Sequence, residues 1–270
     1  MTGEIRIGCS GWAYRHWRGL FYPDKLASAR WFDHYAQVFD TVELNTSFYR
    51  LPEAATFVKW RDQAPPGFRY AVKAPRFITH MKKLKECAEP IEDFLDRARN
   101  LEPNLGPILY QLPPRWAFDR ERAEAFLSLL PTELAHVFEF RETSWISPEV
   151  LALLDASGVG FCVHDMTGSV TPNWTSGSVA YLRFHGSEGK YWGRYPDERL
   201  LSAADWMVAQ SQAGRDVWAY FNNDIHGHAI DDALTLRAMV AQAAPISAPG
   251  SAERPSHPRP ARPDGSRQPN

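Results

Sequence analysis

Eight short apolar runs, rich in β-branched and aromatic residues, alternate along the chain with longer stretches of helical periodicity. The runs occupy residues 5–9, 41–45, 68–73, 107–111, 136–140, 159–163, 179–184 and 216–221. Such alternation is typical of repeated βα units, whose strands pair in parallel. Eight units close into a barrel without a free sheet edge, whereas a doubly wound open sheet is the alternative. We therefore predict an α/β fold, a (β/α)8 TIM-type barrel.

The segments between the runs carry helix signals. Helical periodicity is found in residues 29–39, 54–63, 91–101, 119–130, 148–156, 203–212 and 229–241. Ser147 can cap the fifth of these helices, Pro148 suits its first position, and Gly158 suits its end. These signals predict a helix from residue 148 to residue 156.

The chain divides into one folded unit and a tail. Its 270 residues are close to the length of about 250 that is usual for one barrel, so we predict a single barrel domain over residues 1–243. From residue 244 onward the sequence is rich in Pro, Ser and Arg and contains few apolar residues. A segment of that composition cannot bury a core, which predicts a disordered tail over residues 244–270.

Composition restricts the partners that the chain can bind. Hydrophobic residues make up 44% and charged residues 23%, with a net charge of −2 and a pI of about 6.5. No overall basic field would attract nucleic acid, which makes that partner unexpected, and no apolar stretch is long enough to span a membrane. Cys9, Cys87 and Cys162 lack metal-ligand spacing and are expected to be reduced. We expect a cytoplasmic protein, and nothing indicates its oligomeric state.

Pairs of polar residues separated by one residue lie at the carboxyl ends of three of the runs. The pairs are Glu43 with Asn45, Glu139 with Arg141, and Arg183 with His185. Side chains two apart share a face of a strand, and inward residues near the carboxyl ends of barrel strands reach the active-site mouth. The intervening Leu44, Phe140 and Phe184 would then face the helices. Further polar residues fall at or beyond other strand ends: Lys73, Gln111, His164, Asp165, Asn222, Asn223 and Asp224.

These residues predict one pocket for a small molecule. Lys73, Arg141 and Arg183, with His185 and His80, are suited to bind a carboxylate or phosphate. For proton transfer we select Glu43, Asp165 and His185 as catalytic candidates. The remaining candidates for substrate binding are Asn45, Gln111, Glu139, Trp145, Asn222 and Asn223. Alternatively, pairs such as Glu139 with Arg141 or Glu43 with Lys73 only stabilise the top of the barrel.

Other ligands remain open at this stage. The carboxylates and histidines could bind a divalent metal, although no compact ligand motif is present. Loop aromatics could stack on a sugar: Trp12, Tyr14, Trp17, Tyr49, Trp145, Trp192 and Tyr195. The sequence contains neither a phosphate-binding loop of the Walker type nor a GxGxxG turn.

Several short motifs together resemble the domain of unknown function 72 family, also called YecE-like, over roughly residues 5–240. The motifs are Gly8-Cys9-Ser10-Gly11-Trp12, Glu43-Leu44-Asn45-Thr46-Ser47-Phe48-Tyr49, Val72-Lys73-Ala74-Pro75-Arg76 followed by Thr79-His80, Gln111-Leu112-Pro113-Pro114, Glu139-Phe140-Arg141 with Ser144-Trp145, Arg183-Phe184-His185-Gly186, and Tyr220-Phe221-Asn222-Asn223-Asp224. The resemblance implies a TIM-type barrel and the position of its site, but no catalytic roles. Cys9 stands where threonine is more usual.

From the residues we expect an enzyme, a hydrolase, lyase or isomerase, acting on a small anionic or polyhydroxylated substrate. The alternatives are a non-catalytic barrel that binds a metabolite or nucleic acid as a sensor or adaptor, and a pure scaffold.

Overall fold

The computed structural model describes residues 1–166 and 168–243, and eight parallel strands form its centre. The strands are β1 Ile5–Cys9, β2 Thr41–Leu44, β3 Arg69–Lys73, β4 Leu105–Gln111, β5 His136–Glu139, β6 Gly160–Met166, β8 Val179–Phe184 and β9 Asp216–Phe221. Each strand pairs with the next in this order, and β9 pairs with β1, so the sheet closes on itself. The predicted (β/α)8 barrel is confirmed. The tail predicted over residues 244–270 lies outside the described residues.

Helices surround the barrel. They are α1 Trp31–Val38, α2 Thr46–Tyr49, α3 Ala54–Gln63, α4 Ala88–Ala98, α5 Arg120–Leu127, α6 Pro148–Ala156, α7 Asp197–Gln212 and α8 His228–Ala243. The predicted limits of α3 and α6 are those observed, whereas α7 begins earlier than predicted, at Asp197 directly after Pro196. Proline suits the start of a helix, and the acidic Asp197 and Glu198 favour its first turn, signals that outweigh the weak apolar periodicity there.

Among the local elements that were not predicted, three shape the mouth. The four-residue α2 and a π-helix, Phe77–Met81, follow β2 and β3, and a two-residue strand, β7 Ser169–Val170, pairs antiparallel with the end of β6. Each is shorter than two helical turns or a typical strand, so its sequence shows no repeated apolar period. All three lie beyond the carboxyl ends of barrel strands, where they shape the mouth.

The two faces of the strands bury different sets of residues. Leu44, Phe140 and Phe184 belong to the large cluster between strands and helices, as the sequence predicts. A second cluster fills the interior of the barrel, and its members are Ala71, Leu109, Val137, Cys162, Val179, Tyr181, Trp218 and Tyr220. Beyond this apolar layer the inward positions become polar, and they form the candidate site.

The three cysteines are free and buried. Burial raises the pKa of Cys87 to about 11 and raises the pKa values of Cys9 and Cys162 far above the usual range. These thiols therefore stay protonated and contribute packing volume rather than nucleophiles. None of the helices in the described ranges is long and apolar enough to cross a membrane.

The cap of α6 yields a stability test. The Oγ of Ser147 accepts a hydrogen bond from the backbone N–H of Val150 at 3.2 Å, as the sequence predicts. Replacing Ser147→Ala leaves that N–H without its partner and should lower the free energy of unfolding by about 1 kcal/mol. Urea denaturation would measure the loss. Ser147→Asp, which keeps the acceptor, is the matched control, and equal stability of the two variants would contradict the capping role.

Candidate functional site

Arg183 occupies the centre of the polar layer. From β8 its guanidinium donates to Glu43 of β2 at 2.8 Å and to Glu139 of β5 at 2.6 Å. Neither β2 nor β5 is a neighbour of β8 in the sheet, so these ion pairs span the interior of the barrel. All three side chains are at most 1% exposed. The pairs that the sequence placed on separate strands are thus joined in one network.

The carboxylate of Glu43 is fully engaged by donors. It accepts hydrogen bonds from Arg183, from Ser10 at 2.7 Å, from Tyr181 at 2.8 Å and from Asn45 at 3.2 Å. Burial by itself raises the pKa of Glu43, but the charge and hydrogen bond of Arg183 outweigh it, and the pKa is lowered. We expected Glu43 to exchange protons. Its surroundings instead keep it ionised and suit it to holding Arg183 in place.

Glu139 joins Arg183 to a second cation. Its Oε2 accepts from Arg183, while its Oε1 forms an ion pair with Arg141 and lies 3.7 Å from Nε2 of His185. Burial raises the pKa of Glu139, but Arg141 and Arg183 together lower it well below the usual range. The pair of Glu139 with Arg141 considered in the sequence is present. Among the described residues no ion pair joins Glu43 to Lys73.

His185 is held as a neutral imidazole. Its Nε2 lies 2.9 Å from a guanidinium nitrogen of Arg141, and its Nδ1 lies 3.3 Å from the side-chain amide of Asn222. Because a guanidinium only donates, Nε2 must carry the lone pair. Burial lowers the pKa of His185 well below its ordinary value. The titration near neutral pH that the sequence suggested is therefore not expected in this environment.

His164 of β6 has the opposite tautomer. Its Nε2–H donates to the backbone carbonyl of Phe140 at 2.7 Å, which leaves the lone pair on Nδ1. That Nδ1 is buried and has no hydrogen-bond partner among the described residues. Burial lowers the pKa of His164 to about 4. Ligand atoms of Glu139, His164 and His185 lie within 4.8 Å of one another, a group that could hold a metal ion.

Lys73 is a buried amine without an acidic partner. Its Nζ donates to Oε1 of Gln111 at 3.0 Å and lies 4.1 Å from the ring centre of Phe48. The residue is 8% exposed, and none of the described carboxylates lies within ion-pair distance. Burial, followed by repulsion from Arg183, lowers the pKa of Lys73 to about 7. A substantial fraction of this amine is therefore unprotonated at neutral pH.

Partly exposed polar groups border this layer on the side of the mouth. Asn45, Gln111 and Asn222 are half-buried, whereas the side chain of Arg141 is 6% exposed. His80 on the π-helix is half-buried as well, packs edge-on against Phe48, and has its pKa lowered to about 4 by burial and by Lys73. These groups are the ones that a ligand entering the mouth would meet first.

An open groove lies next to Lys73. It encloses about 1150 Å³ and is mainly apolar, with Phe48, Tyr49, Leu51, Phe77, Ile78 and Met81 in its walls. Phe48 lines the groove and also contacts the amine of Lys73, and Ser47, another wall residue, donates a hydrogen bond to the Lys73 carbonyl at 2.6 Å. The sequence did not predict this groove, because it depends on α2 and the π-helix.

Two predicted site residues, Asp165 and Asn223, lie outside the barrel interior. Asp165 accepts the backbone N–H of His185 at 3.0 Å and faces Arg199 of α7. Asn223 is fully buried and donates to Asp232 of α8 at 2.8 Å. The reason is alternation: His164 and Asn222 point inward, so Asp165 and Asn223, their successors, point outward. We correct both residues to roles in fixing the strand ends.

Trp145 is likewise structural. It stacks on Phe140, on the helix side of β5, and its indole N–H donates to the carbonyl of Trp116 at 2.8 Å. Because it is 2% exposed and packs on the helix side of β5, its ring does not face the barrel interior. Trp17 and Tyr195, considered for sugar stacking, are also buried, whereas Tyr49 and Trp192 are exposed. Ser10, Tyr181 and Phe48 were not selected from the sequence, since only the folded barrel brings them to Glu43 and Lys73.

Comparisons with known proteins agree on one family. The family profile described as "Protein of unknown function DUF72" matches residues 6–258. The UPF0759 protein YunF of Bacillus subtilis is 28% identical, over 84% of this chain and 92% of its own length. The UPF0759 protein YecE of Escherichia coli K12 is 31% identical over a segment covering 53% of this chain and 50% of YecE.

Solved structures match over most of the chain. The crystal structure of a DUF72 family protein from Thermotoga maritima superposes with a TM-score of 0.78 and 30% identity, covering 88% of this chain and 99% of that one. A DUF72 family protein from Enterococcus faecalis gives a TM-score of 0.76 at 19% identity, over 88% of this chain and 95% of its own. The latter similarity supports the fold.

The ion network predicts a large stability effect at Arg183. Replacing Arg183→Met leaves Glu43 and Glu139 buried without their shared cation, and removing one partner of a buried pair costs about 3–5 kcal/mol. Denaturant unfolding of the variant should show a loss of that size.

Arg120→Met is the control, because Arg120 makes only exposed ion pairs, with Glu124 and Glu149. Such pairs contribute less than about 1 kcal/mol. Adding Glu43→Gln and Glu139→Gln to Arg183→Met should recover part of the stability. A loss at Arg183 no larger than that at Arg120 would contradict the central role of this network.

Proposed function

The chain belongs to the DUF72 family, and we propose that it is an enzyme that binds a small anionic or polyhydroxylated substrate at the carboxyl-end rim of the barrel and transfers protons there through Lys73. The site lies where barrel enzymes carry their reactive residues. The proposed reaction is that of a lyase or isomerase. The proton leaves one atom of the substrate and returns to the substrate or to a leaving group, so no water is consumed.

The environment of Lys73 supports this proposal: the residue forms no ion pair with a described carboxylate, and burial with repulsion from Arg183 and Arg141 lowers its pKa by more than Glu139 and Glu43 raise it. Burying a lysine in this way costs stability, and an apolar residue of similar volume would pack at lower cost. Amines placed among cations in sheltered sites are typical of lysines that act as bases or nucleophiles. The arrangement is therefore better explained by chemistry than by folding.

The neighbours of Lys73 suit a cycle of proton transfer. The neutral amine accepts a proton from an acidic C–H or O–H of the substrate and becomes an ammonium. Arg183 and Arg141 repel that ammonium, which favours return of the proton. Gln111 orients the amine through its Oε1. The negative charge that develops on a substrate oxygen would be stabilised by Arg141.

The available donors suit a carboxylate or several hydroxyl groups. Arg183 is neutralised by two carboxylates, but Nε of Arg141 has no hydrogen-bond partner among the described residues. Together with the amide of Asn222 it supplies donors beside the mouth, and the side-chain oxygen of Asn45 supplies an acceptor. The role of proton carrier expected of Glu43 and His185 passes to Lys73, since both of those groups are already held by hydrogen bonds.

The competing hypothesis is a barrel that binds a metabolite or nucleic acid without turnover. It would use the same rim, and it predicts that a ligand binds without any exchange of its protons. The net charge of −2 disfavours nucleic acid.

We propose the cytoplasm as the location, supported by the three free buried cysteines. A divalent cation at Glu139, His164 and His185 would add an electrophile to this rim.

The amine of Lys73 should titrate near neutral pH. Labelling with limiting acetic anhydride, followed by mass spectrometry, should show the rate at Lys73 rising with an inflection near pH 7. Burial, Arg183 and Arg141 favour the neutral amine, while Glu139 and Glu43 oppose them. Exposed Lys59 on α3 is the internal reference. An inflection near the ordinary value of 10.5 would remove the proposed base.

The sign of the linked stability follows from the same shift. Because the folded pKa is lowered, the unfolded chain binds more protons between about pH 7 and 10.5, and stability rises with pH across that window. The full cost of burying the ammonium is present below pH 7. Lys73→Met should therefore be most stabilised relative to wild type in acid, and this advantage should shrink toward pH 10.

A ligand screen separates binding from proton transfer. Thermal-shift measurements against small carboxylic acids, phosphorylated metabolites and sugars should give hits that Arg141→Met abolishes. Lys73→Met should keep part of the binding but lose exchange of substrate hydrogen with D2O, measured by NMR. Lys59→Met is the control. Hits that show no exchange with the wild-type protein would favour the non-catalytic hypothesis.

A further inference from the structure

We infer that Glu139, His164 and His185 bind a divalent transition-metal ion, and that this ion takes the place held here by the guanidinium of Arg141. The inference deepens the proposed function, since it concerns the same rim. Three strands supply the ligands: β5 contributes Glu139, β6 contributes His164, and His185 directly follows β8. Their ligand atoms lie within 4.8 Å of one another, and Oε1 of Glu139 is 3.7 Å from Nε2 of His185.

The outer hydrogen bond of His164 matches that of a metal ligand. A ligating histidine usually donates its second N–H to a carbonyl or another polar group, which fixes the tautomer and turns the free lone pair toward the metal. His164 donates Nε2–H to the carbonyl of Phe140, whereas Nδ1 of His185 lies 3.3 Å from the amide nitrogen of Asn222, which is itself a donor. The lone pair that remains on His164 is on Nδ1, which has no partner among the described residues, and Nε2 of His185 lies 3.7 Å from Oε1 of Glu139.

The unpartnered Nδ1 of His164 is the strongest evidence that this group binds a metal ion. A buried acceptor without a donor costs about 1–3 kcal/mol. His164 is 2% exposed, and its Nδ1 has no partner among the described residues. The carbonyl of Phe140 fixes the tautomer of His164, because moving the proton from Nε2 to Nδ1 would break the hydrogen bond to that carbonyl. A metal ion would satisfy this lone pair directly.

In this structure the guanidinium of Arg141 is the cation that contacts two of the three proposed metal ligands. Its guanidinium contacts both Oε1 of Glu139 and Nε2 of His185, but it leaves Nδ1 of His164 without a donor. Nε of Arg141 also lacks a partner among the described residues. A metal ion would engage all three ligands, whereas the guanidinium engages two. The metal therefore satisfies the site more completely.

Exchange of the two cations leaves the rest of the network intact. Glu139 uses Oε2 for Arg183 and Oε1 for Arg141, so a metal on Oε1 does not disturb the ion pairs of Arg183. Two imidazoles and one carboxylate suit Zn²⁺, Mn²⁺, Fe²⁺ or Co²⁺ rather than Ca²⁺, which prefers oxygen ligands alone. Once displaced, Arg141 has its N–H groups free for the anionic part of a substrate.

Cobalt binding tests the inference without an assay of activity. Full-length protein, stripped of metal with a chelator, is titrated with Co²⁺ and followed by visible absorption, with Zn²⁺ as competitor. We expect one Co²⁺ per chain. His164→Ala should weaken binding by more than Asn222→Ala, for which loss of an outer partner predicts about 10–100-fold. Arg141→Met and Arg141→Gln should both tighten binding, because the competing cation is gone.

Matched variants separate this inference from the proposed base. His226→Asn removes an exposed imidazole at a position of φ 63°, which asparagine tolerates, and should bind Co²⁺ as the wild type does. Lys73→Met should also bind it unchanged, so failure of the amine to titrate would not affect this result. Near-ultraviolet circular dichroism checks the fold of each variant. Three results would each overturn the inference: no stoichiometric Co²⁺ binding by the wild type, unchanged affinity in His164→Ala, or no gain in either Arg141 variant.

Discussion

The interaction on which the site depends is the clamp of Arg183 between Glu43 and Glu139. These three charges come from strands that are not neighbours, and none of them contacts solvent appreciably. Each would be costly to bury alone, and together they satisfy one another. The clamp therefore fixes the relative positions of β2, β5 and β8 at the point where the interior changes from apolar to polar.

The positions of the remaining groups depend on the carboxylate oxygen of Glu139 that Arg183 does not use and on the charge of Arg183. Glu139 has one oxygen left for Arg141, and Arg141 in turn occupies the lone pair of His185. The charge of Arg183 also contributes to lowering the pKa of Lys73 to about 7. The proposed base and the proposed metal position are thus set by different neighbours of the same arginine.

Strand alternation accounts for what the sequence predicted and for what it did not. The spacing of Glu43 with Asn45 and of Arg183 with His185 assigns these residues to one face, because a strand has a strict period of two. The sequence analysis assigned Asp165 and Asn223 to the wrong face of their strands. Both residues follow inward-facing residues, and they were included only because they lie at strand ends. Phe48 and Tyr181 were missed for another reason: their contacts with Lys73 and Glu43 join segments far apart in the chain, and no local pattern records them.

The clamp also bears on how such a barrel can change over generations. A single substitution at position 43, 139 or 183 passes through a protein with an uncompensated charge in its interior, whereas the loops and the groove beside Phe48 can vary one residue at a time. We therefore expect the residues at these three positions to change together or not at all. New specificities would arise around them, in the mouth, while the charge layer beneath stays as it is.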